Sequence, residues 1–484
     1  MQIGGFSIIY IISFVLAVSF SIQLLFDNKT AQSSLAWIMA MFLIPYIGVG
    51  AYVLSGINWR KKKLVKFRPE EMYGTYLREI LSQQRELINE KKEYIGSDTH
   101  KIMMMTMKTA NGVIMGNNDI NVYHQGDQLF KDLIRDLEAA EESIHIEYFI
   151  YRDDEIGKEI LSILKRKASA GVEVRFLVDG SGSKFTFTKR GRRRLRKSDV
   201  EYRNFLDPGN IIFAWLLNYS SHRKIVIIDN KISYTGGMNI GKEYIDGGRR
   251  FDTWRDTHMR FVGNASGILQ SIFLADWVNS GGIIDDPERF FKKLDLKSKV
   301  VNLTGVQMLS SGPDSDWFGI QQLYFTMITN ANNKVVIQSP YFIPDESIAT
   351  ALENAALTGV DVNLMITGCP DKRIPFWAAH SFFEPLLKAG VKIFLYKAGF
   401  FHSKVVVIDE KVATCGSCNM DQRSFFLDYE LNTIFYNERI AKEFSDQFDR
   451  DCELSEQFTL ESYHNLSAVK KLRNSVFRLI SPLL

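Results

Sequence analysis

The stretch "FHSKVVVIDEKVATCGSCNM", residues 401–420, places a His-x-Lys pair immediately before four apolar residues and an Asp. A Gly-Ser-x-Asn sequence follows at residues 416–419. Residues i and i+2 of a β-strand point to the same side, so this spacing predicts that His402 and Lys404 share one face of a buried strand. Taken alone, the pattern fits either a core strand with polar ends or half of an active site.

A second stretch, "SHRKIVIIDNKISYTGGMNI" at residues 221–240, repeats this pattern 180 positions upstream. The matching residues are His222, Lys224, Asp229, Gly236 and Asn239 in the first copy, and His402, Lys404, Asp409, Gly416 and Asn419 in the second. One His-x-Lys-x4-Asp match is a weak signal, whereas two copies in register with the same Gly-x-x-Asn tail are a strong one. The tails differ at one place, because Gly237 stands where the second copy has Ser417.

The repeat extends upstream of both motifs. Residues 143–180 and 334–368 each contain an apolar strand, a Tyr-Phe-Ile triplet, an acidic helix start, a helix and a second apolar strand. A strand–helix–strand order with short connections predicts a parallel βαβ unit. We therefore expect an α/β fold with two duplicated lobes, residues 117–295 and 299–457, because a repeat of this length indicates domain duplication.

Two uncharged apolar runs precede the lobes, at residues 1–26 and 35–59. Each run can supply the ~20 apolar residues that a helix needs to cross a bilayer. We expect a hairpin of two transmembrane helices over residues 1–59, followed by a basic juxtamembrane and linker segment over residues 60–116. A cleaved signal peptide is the alternative for the first run, but that run has no basic n-region.

The flanking charges predict an orientation for this hairpin. Residues 60–68, "RKKKLVKFR", contain six basic side chains, whereas the connection between the two apolar runs has one acid and one base. Basic residues next to membrane spans stay on the cytoplasmic side. We therefore expect a multi-pass protein of the cell membrane with both lobes in the cytoplasm.

The composition of the whole chain narrows the classes of partner and cofactor. A net charge of only +3 argues against a nucleic-acid partner. Four cysteines in 484 residues are too few for a disulfide framework and indicate a reducing compartment. Cys415 and Cys418 form a CxxC pair without a second such pair, so no zinc site is predicted. We expect neither a metal nor another cofactor.

Two lobes placed face to face would bring together the imidazoles of His222 and His402 and the ammonium groups of Lys224 and Lys404. This set of groups suits phosphodiester chemistry without a metal. The lysines would neutralise the charge that develops on the phosphate oxygens. One histidine would attack phosphorus, and the other would protonate the leaving alkoxide and then deprotonate the incoming hydroxyl.

Further polar residues are candidates for supporting this chemistry. Asn239 and Asn419 can donate N–H groups after each hairpin, and Ser417 can donate in the second copy only. A carboxylate that orients each histidine is best sought in Asp256, within "TWRDTH", and Glu430, within "LDYELN".

The aspartate of each motif has a different pattern. Asp229 and Asp409 lie seven positions after their histidines, an odd offset at the end of a strand. From the residue pattern alone, this position fits a turn or a capping role.

The chain resembles the phospholipase D superfamily, whose signature is the duplicated His-x-Lys-x4-Asp with a Gly-Ser-x-Asn tail. Over essentially its whole length it is similar to bacterial cardiolipin synthases of the phospholipase D type, as in "HIEYFIYRDDEIG", "QSPYFIPDE", "GSCNMDQRSF" and the terminal "SPLL". The resemblance implies two phospholipase D-type α/β lobes with the active site at their interface, preceded by a transmembrane hairpin. It also implies a phosphatidyltransferase that joins two phosphatidylglycerols into cardiolipin and releases glycerol.

The resemblance also implies specific roles for residues. The implied active-site residues are His222, Lys224, Asp229, His402, Lys404 and Asp409. The habit of the superfamily favours His222 as the nucleophile, although the residues themselves leave this open. Gly237 departs from the family tail, so the first copy lacks the hydroxyl donor of the second.

Two further basic segments suit a lipid substrate but have plainer alternatives. Residues 189–197, "KRGRRRLRK", fit either a solvated helix face or a surface that attracts anionic lipid. The C-terminal tail, residues 458–484, ends in "AVKKLRNSVFRLISPLL", where basic and apolar positions alternate at helical spacing. That pattern fits either an interfacial helix or a helix packed on the second lobe.

The expected partners are phosphatidylglycerol, cardiolipin and the lipid bilayer, and the sequence is compatible with an oligomer. A hydrolytic phospholipase D or another phosphatidyltransferase is the nearest alternative, because residue types do not reveal whether water or a lipid hydroxyl is the acceptor. A nuclease would not need membrane spans. A non-catalytic membrane scaffold is the alternative from another class, but inert copies would not need to retain both histidines and both lysines.

Overall fold

The computed structural model describes residues 5–26, 31–53, 65–72, 74–116, 118–206, 219–291 and 305–479. Most of the basic run at residues 60–68, the expected lobe boundaries at residues 117, 295 and 299, and the terminal "SPLL" lie outside these residues. The chain divides into one unit of Met1–Lys66 with Asp207–Tyr219 and a larger unit of Phe67–Leu206 with Ser220–Leu484.

The described residues of the N-terminal unit form the helices α1 (Gly5–Phe26), α2 (Ala31–Leu43) and α3 (Pro45–Ala51). Among the described residues, α1 is the one helix that is long and apolar enough to cross a membrane. The second apolar run is not one continuous helix, because it breaks between α2 and α3. Pro45 lacks an N–H group and its ring clashes with the preceding turn, which explains the break.

The larger unit contains the remaining helices. They are α4 (Gly74–Glu90), α5 (Lys92–Ile95), α6 (Ser97–Ala110), α7 (Gly126–Ala139), α8 (Glu155–Ser169), α9 (Lys189–Leu195), α10 (Glu243–Asp246), α11 (Ala265–Asn279), α12 (Gly319–Thr329), α13 (Glu346–Leu357), α14 (Arg373–His380), α15 (Phe383–Ala389), α16 (Gln422–Phe426), α17 (Glu438–Glu453), α18 (Leu460–His464) and α19 (Ala468–Arg478).

The strands also belong to the larger unit. They are β1 (Ile114–Met115), β2 (Asn118–Tyr123), β3 (Ser143–Tyr148), β4 (Glu173–Asp179), β5 (Glu201–Phe205), β6 (Ser220–Ser221), β7 (Lys224–Ile228), β8 (Ile232–Gly236), β9 (Trp254–Arg255), β10 (His258–Gly263), β11 (Val306–Ser311), β12 (Lys334–Gln338), β13 (Phe342–Ile343), β14 (Asp361–Thr367), β15 (Lys392–Tyr396), β16 (Phe400–Phe401), β17 (Val405–Ile408), β18 (Val412–Gly416), β19 (Met420–Asp421), β20 (Asp428–Phe435) and β21 (Ser455–Phe458).

Two sheets repeat the same strand order, which confirms the predicted duplication of an α/β lobe. The first sheet runs β2-β10-β8-β7-β3-β4-β5, and the second contains the matching run β11-β20-β18-β17-β12-β14-β15. In both, the strand of the His-x-Lys motif is antiparallel to its neighbours, whereas the next strands are parallel. The second sheet adds β21 at one edge and β1 at the other.

The two predicted βαβ units are present. Strand β3, helix α8 and strand β4 form the first, and β12, α13 and β14 form the second. Each helix begins at an aspartate N-cap, where Asp154 accepts the N–H of Gly157 and Asp345 accepts the N–H of Ile348. Such caps satisfy N–H groups that the first turn of a helix leaves free.

The segment before the first lobe is largely helical and adds to the second sheet. Helix α6 packs against α12 and β11, and β1 pairs with β11. The side chain of Gln84 fixes this edge, because it donates to the carbonyl of Ile114 at 2.7 Å and accepts its N–H at 2.9 Å.

The buried helix α11 links the lobes. Residues 265–277 of α11 are all buried, and the helix contacts β3, β7, β8 and β10 of the first sheet and β11 of the second. A helix that is apolar on all sides belongs in a core. The two lobes therefore share one packed interior, and the motif strands β7 and β17 belong to the same body.

Candidate active site

Short parallel bridges between the lobes begin each motif. Strand β6, just before His222, pairs with the start of β20, and β16, just before His402, pairs with β9. The backbone N–H of His222 donates to the carbonyl of Tyr429 at 2.8 Å, and that of His402 donates to the carbonyl of Arg255 at 2.7 Å. The backbone of each histidine is thus fixed by the opposite lobe.

Each histidine also has a carboxylate partner from the opposite lobe. Nδ1 of His222 lies 3.1 Å from Oε1 of Glu430, and Nδ1 of His402 lies 2.6 Å from Oδ2 of Asp256. The sequence singled out both carboxylates, but the crossed pairing is a finding of the structure. With Nδ1 engaged, Nε2 of each ring is the nitrogen left for a substrate.

The two lysines are buried beside the histidines. Lys224 and Lys404 each donate to the backbone carbonyl of their own histidine, and Nζ of Lys404 lies 2.9 Å from Nδ1 of His402. Burial lowers the pKa of Lys224 to about 8, with Glu430 opposing the shift. Burial also lowers the pKa of Lys404.

Electrostatic coupling between the motifs indicates that the four groups form one site. Burial lowers the pKa of His222 well below its usual value, with Lys224 as the next cause and Lys404 and His402 contributing. Burial and Lys404 lower the pKa of His402, and Asp256 opposes them. Both imidazoles are therefore held neutral in the absence of a bound anion, which is the form that a nucleophile requires.

The two carboxylates differ in their charge state. Burial raises the pKa of Glu430 to about 7. Burial also acts to raise the pKa of Asp256, but Lys404 and His402 outweigh it, so the pKa of Asp256 is lowered. Asp256 is therefore ionised at neutral pH, whereas Glu430 is close to its midpoint.

The departure of Gly237 from the repeat has a steric cause. Ser417 in the second copy donates its hydroxyl to Glu430. In the first copy, a Cβ added at Gly237 would overlap the carboxylate of Asp256. The glycine makes room for the carboxylate that orients His402, and so Ser417 lacks a counterpart.

Aromatic side chains line both histidines. The ring of Phe149 lies edge-on to His222 with the centroids 4.5 Å apart. Trp254 and Phe400 contact His402, with centroid distances of 6.0 and 5.5 Å. The sequence did not indicate a role for these residues, although Phe149 belongs to the repeated Tyr-Phe-Ile triplet. They exclude water from the imidazoles, which strengthens the electrostatic interactions between the charged groups.

The two asparagines of the tails are not equivalent. Asn239 accepts the N–H of Ile150 at 3.0 Å and donates to the hydroxyl of Tyr244 at 3.0 Å. Asn419 is buried, and its Oδ1 has no hydrogen-bond partner among the described residues. The amide of Asn239 is thus engaged within the first lobe, whereas the amide oxygen of Asn419 is left unpaired.

Asp229 and Asp409, which the resemblance assigned to the active site, have contacts unlike those of the histidines and lysines. Both lie at the end of the motif strand away from the histidine, in tight turns with positive φ. The carboxylate of Asp229 accepts the N–H groups of residues 141, 142 and 143, and that of Asp409 accepts those of residues 332, 333 and 334. They fix the start of the neighbouring strand, which agrees with the turn interpretation of the pattern.

A buried network behind His222 was not predicted. Ser221 donates to Glu147 at 2.7 Å, and its N–H donates to Asp179 at 2.8 Å. Arg223 is paired with Asp276. The repeat gave no signal for this network, because Arg223 corresponds to Ser403 in the second copy.

Comparison with known proteins gives a consistent family. The profile described as "Cardiolipin synthase, PLD-like domain" matches residues 133–250 and 324–452, which contain both motifs. A cardiolipin synthase of Clostridium perfringens is 37% identical over 463 residues, and the alignment covers 95% of each chain. The major cardiolipin synthase of Bacillus subtilis is 36% identical over 489 residues, with 99% of each chain covered.

A solved structure supports the fold. Phosphatidylserine synthase of Haemophilus influenzae superposes with a TM-score of 0.60 at 15% identity, over 79% of this chain and 100% of that one. At a sequence identity this low, the superposition supports only the similarity of the fold.

Proposed function

The chain belongs to the bacterial cardiolipin synthases of the phospholipase D superfamily, and we propose that it makes cardiolipin through a covalent phosphohistidine. In the reaction, one phosphatidylglycerol gives its phosphatidyl group to a second one, and glycerol is released. The observation that carries the proposal is the crossed arrangement in which two histidines, each with a carboxylate of the other lobe, flank two buried lysines.

We assign the nucleophile to His222. Its imidazole is held neutral by burial and Lys224, and Glu430 accepts the Nδ1–H, which leaves the Nε2 lone pair free for phosphorus. A P–N bond then forms as the P–O bond to glycerol breaks. Lys224 and Lys404 neutralise the charge on the phosphate oxygens.

We assign the general acid and base to His402. Asp256 stays ionised, and together with the bound phosphodiester it favours the protonated imidazole. His402 gives its proton to the departing glycerol alkoxide. It then takes the proton of the hydroxyl of the second phosphatidylglycerol, whose oxygen attacks phosphorus as the P–N bond breaks. Exchange of one phosphodiester for another needs no nucleotide.

The proposal is tested with labelled phosphatidylglycerol in mixed micelles, without added metal or nucleotide. Cardiolipin and glycerol should form in equal amounts, and His222→Ala and His402→Ala should each abolish both products. Phosphatidic acid in place of cardiolipin would instead indicate that water is the acceptor. Neither product from correctly folded protein would favour a different donor or a scaffold.

The assignment of the nucleophile has its own test. Rapid quenching in alkali preserves phosphohistidine, and mass spectrometry of the digested protein then locates the phosphatidyl group. The modification should lie on the peptide that contains His222. A modification on His402 would reverse the two roles.

The membrane arrangement is the remaining part of the proposal. Helix α1 associates the chain with a membrane. We propose that α2 and α3, which contain no charged residue, together form a second span, and that the basic residues after them keep both lobes in the cytoplasm. We also retain the division into segments 1–59, 60–116, 117–295, 299–457 and 458–484. The test introduces single cysteines at residue 29 and in the lobes and exposes intact cells to an impermeant thiol reagent. The hairpin predicts that the cysteine at residue 29 is labelled and that those in the lobes are protected. Protection at both places would mean that α2 and α3 do not span the membrane.

A further inference from the structure

The C-terminal helix α19 has two faces with different surroundings. On one face, the ring of Phe477 lies 5.2 Å from that of Trp377 in α14, and the guanidinium of Arg473 lies 4.4 Å from the centre of the same ring. Asn474 on this side is buried. These contacts fix the rotation of α19 about its own axis.

The other face carries an apolar stripe. Its members are Val469, Leu472, Val476 and Leu479, whose exposed fractions range from 50% to 78%. At 100° per residue, their spacing keeps them within an arc of about 80°. A continuous apolar stripe exposed in this way marks a surface that contacts a partner.

The charges on α19 specify the chemistry of that partner. The helix contains no acidic residue, and its basic residues lie outside the stripe; they are Lys470, Lys471, Arg473 and Arg478. An apolar stripe on a helix whose charged residues are all basic suits the interface of an anionic bilayer, where aliphatic groups enter the acyl boundary and cations lie among the phosphates. A bilayer is available, because α1 associates the chain with a membrane.

We propose that α19 binds the surface of an anionic phospholipid bilayer and inserts Val469, Leu472, Val476 and Leu479 at the acyl boundary. The packing on α14 prevents the helix from turning its stripe towards the protein. Binding of α19 to the bilayer does not depend on the assigned catalytic roles. Its test measures fluorescence and not activity, so failure of one proposal would leave the other intact.

Packed side chains connect α19 to the wall of the active site. Asp371, which precedes α14, accepts a hydrogen bond from the Tyr341 hydroxyl at 2.8 Å and, through its carbonyl, one from Arg250 at 3.1 Å. Arg250 lies shortly before Trp254, whose ring contacts His402. The region on which α19 packs is thus linked by hydrogen bonds to the segment that contains Trp254.

Bromine quenching of tryptophan fluorescence tests the proposal on the full chain. The protein is reconstituted in liposomes of phosphatidylglycerol and phosphatidylcholine, with and without brominated acyl chains. The variant is Leu472→Trp, and the matched control is Leu357→Trp at the end of α13, since the two leucines are 67% and 68% exposed. The signal of the unmodified protein, with its 7 tryptophans, is subtracted from both.

The brominated lipid should reduce the added fluorescence of Leu472→Trp by about twofold and leave that of Leu357→Trp unchanged. Both sites are exposed, so both variants should unfold at the temperature of the unmodified protein. Absence of quenching at Leu472→Trp, or equal quenching at both sites, would overturn the proposal. So would cross-linking through α19 that rises with protein concentration, because a second copy would then cover the stripe.

Discussion

The imidazole of His402 receives its carboxylate partner from the other lobe, since its Nδ1 lies 2.6 Å from Oδ2 of Asp256, which is 146 positions earlier in the chain. The pKa of Asp256 is lowered, because Lys404 and His402 outweigh the effect of burial. An ionised carboxylate at this distance orients the ring and stabilises its protonated form. The same arrangement, with a weaker acid partner, recurs at His222 and Glu430.

Asp256→Asn should slow catalysis strongly. The amide keeps the size of the side chain but loses the charge that stabilises protonated His402, so kcat should fall by about 10²-fold or more with little change in KM. Glycerol release under saturating phosphatidylglycerol measures the effect. The control is Asp252→Asn, an exposed neighbour in the same segment, which should leave kcat unchanged. A kcat for Asp256→Asn close to that of the control would remove Asp256 from the mechanism.

The reaction should have a bell-shaped dependence on pH. Glu430, with a pKa raised to about 7, is a carboxylate only above that pH, so activity should rise as pH passes through about 7. Lys224, with a pKa lowered to about 8, loses its charge above that value, so activity should then fall. The measurement is kcat/KM for phosphatidylglycerol as a function of pH.

Substitution identifies the two limbs of that profile. Glu430→Gln should lower activity and flatten the acid limb, because the amide does not titrate. Lys224→Arg should move the alkaline limb to higher pH, because guanidinium stays charged. An acid limb that survives unchanged in Glu430→Gln would point to another group, such as His402.

Gly237→Ser should damage the active site even though it restores the repeat. The new side chain would overlap the carboxylate of Asp256 and push it away from His402. We expect at least a tenfold loss of activity and a loss of about 1–3 kcal/mol in the free energy of unfolding from overpacking. Activity per folded molecule and denaturant unfolding measure the two effects. The reciprocal change, Ser417→Gly, creates no overlap and should cost less activity, which would not hold if the two positions were equivalent.

Asp229→Asn should affect stability and spare catalysis. Its carboxylate accepts three backbone N–H groups at the start of β3, and the amide is a weaker acceptor. We expect a loss of about 1–3 kcal/mol in the free energy of unfolding, with kcat per folded molecule nearly unchanged. Thermal unfolding and glycerol release are compared on the same preparation. A kcat reduced as severely as in Asp256→Asn would return Asp229 to the catalytic residues.

The duplicated fold could be predicted from the sequence because the repeated residues are of types that favour β-strands. The apolar runs at residues 225–228 and 405–408 predicted buried strands, and the Gly-x-x-Asn tails aligned the two copies of the repeat. Asp256 and Glu430 were also identified as candidate partners of the histidines. Which histidine each one serves depends on how the lobes meet, and this is a long-range property that no local pattern records.

Other features escaped prediction for physical reasons that can be stated. The role of Trp254 depends on packing across the lobe boundary, and those of Phe149 and Phe400 depend on side-chain packing within a lobe. The helix break at Pro45 was not predicted, because the second apolar run was identified by its hydropathy. Hydropathy does not reflect the missing N–H group of a proline. The asymmetry at Gly237 read as a lost donor, whereas the structure gives it a steric function.

The crossed pairing also sets the time at which the chain becomes reactive during its synthesis. A ribosome that has completed only the first lobe has produced His222 and Lys224 but not residue 430, so the proposed nucleophile is without its carboxylate partner. Asp256 is likewise made long before His402 exists. A chain truncated after the first lobe therefore lacks both histidine–carboxylate pairs, and we expect it to leave the surrounding lipid unchanged until the second lobe has folded against the first.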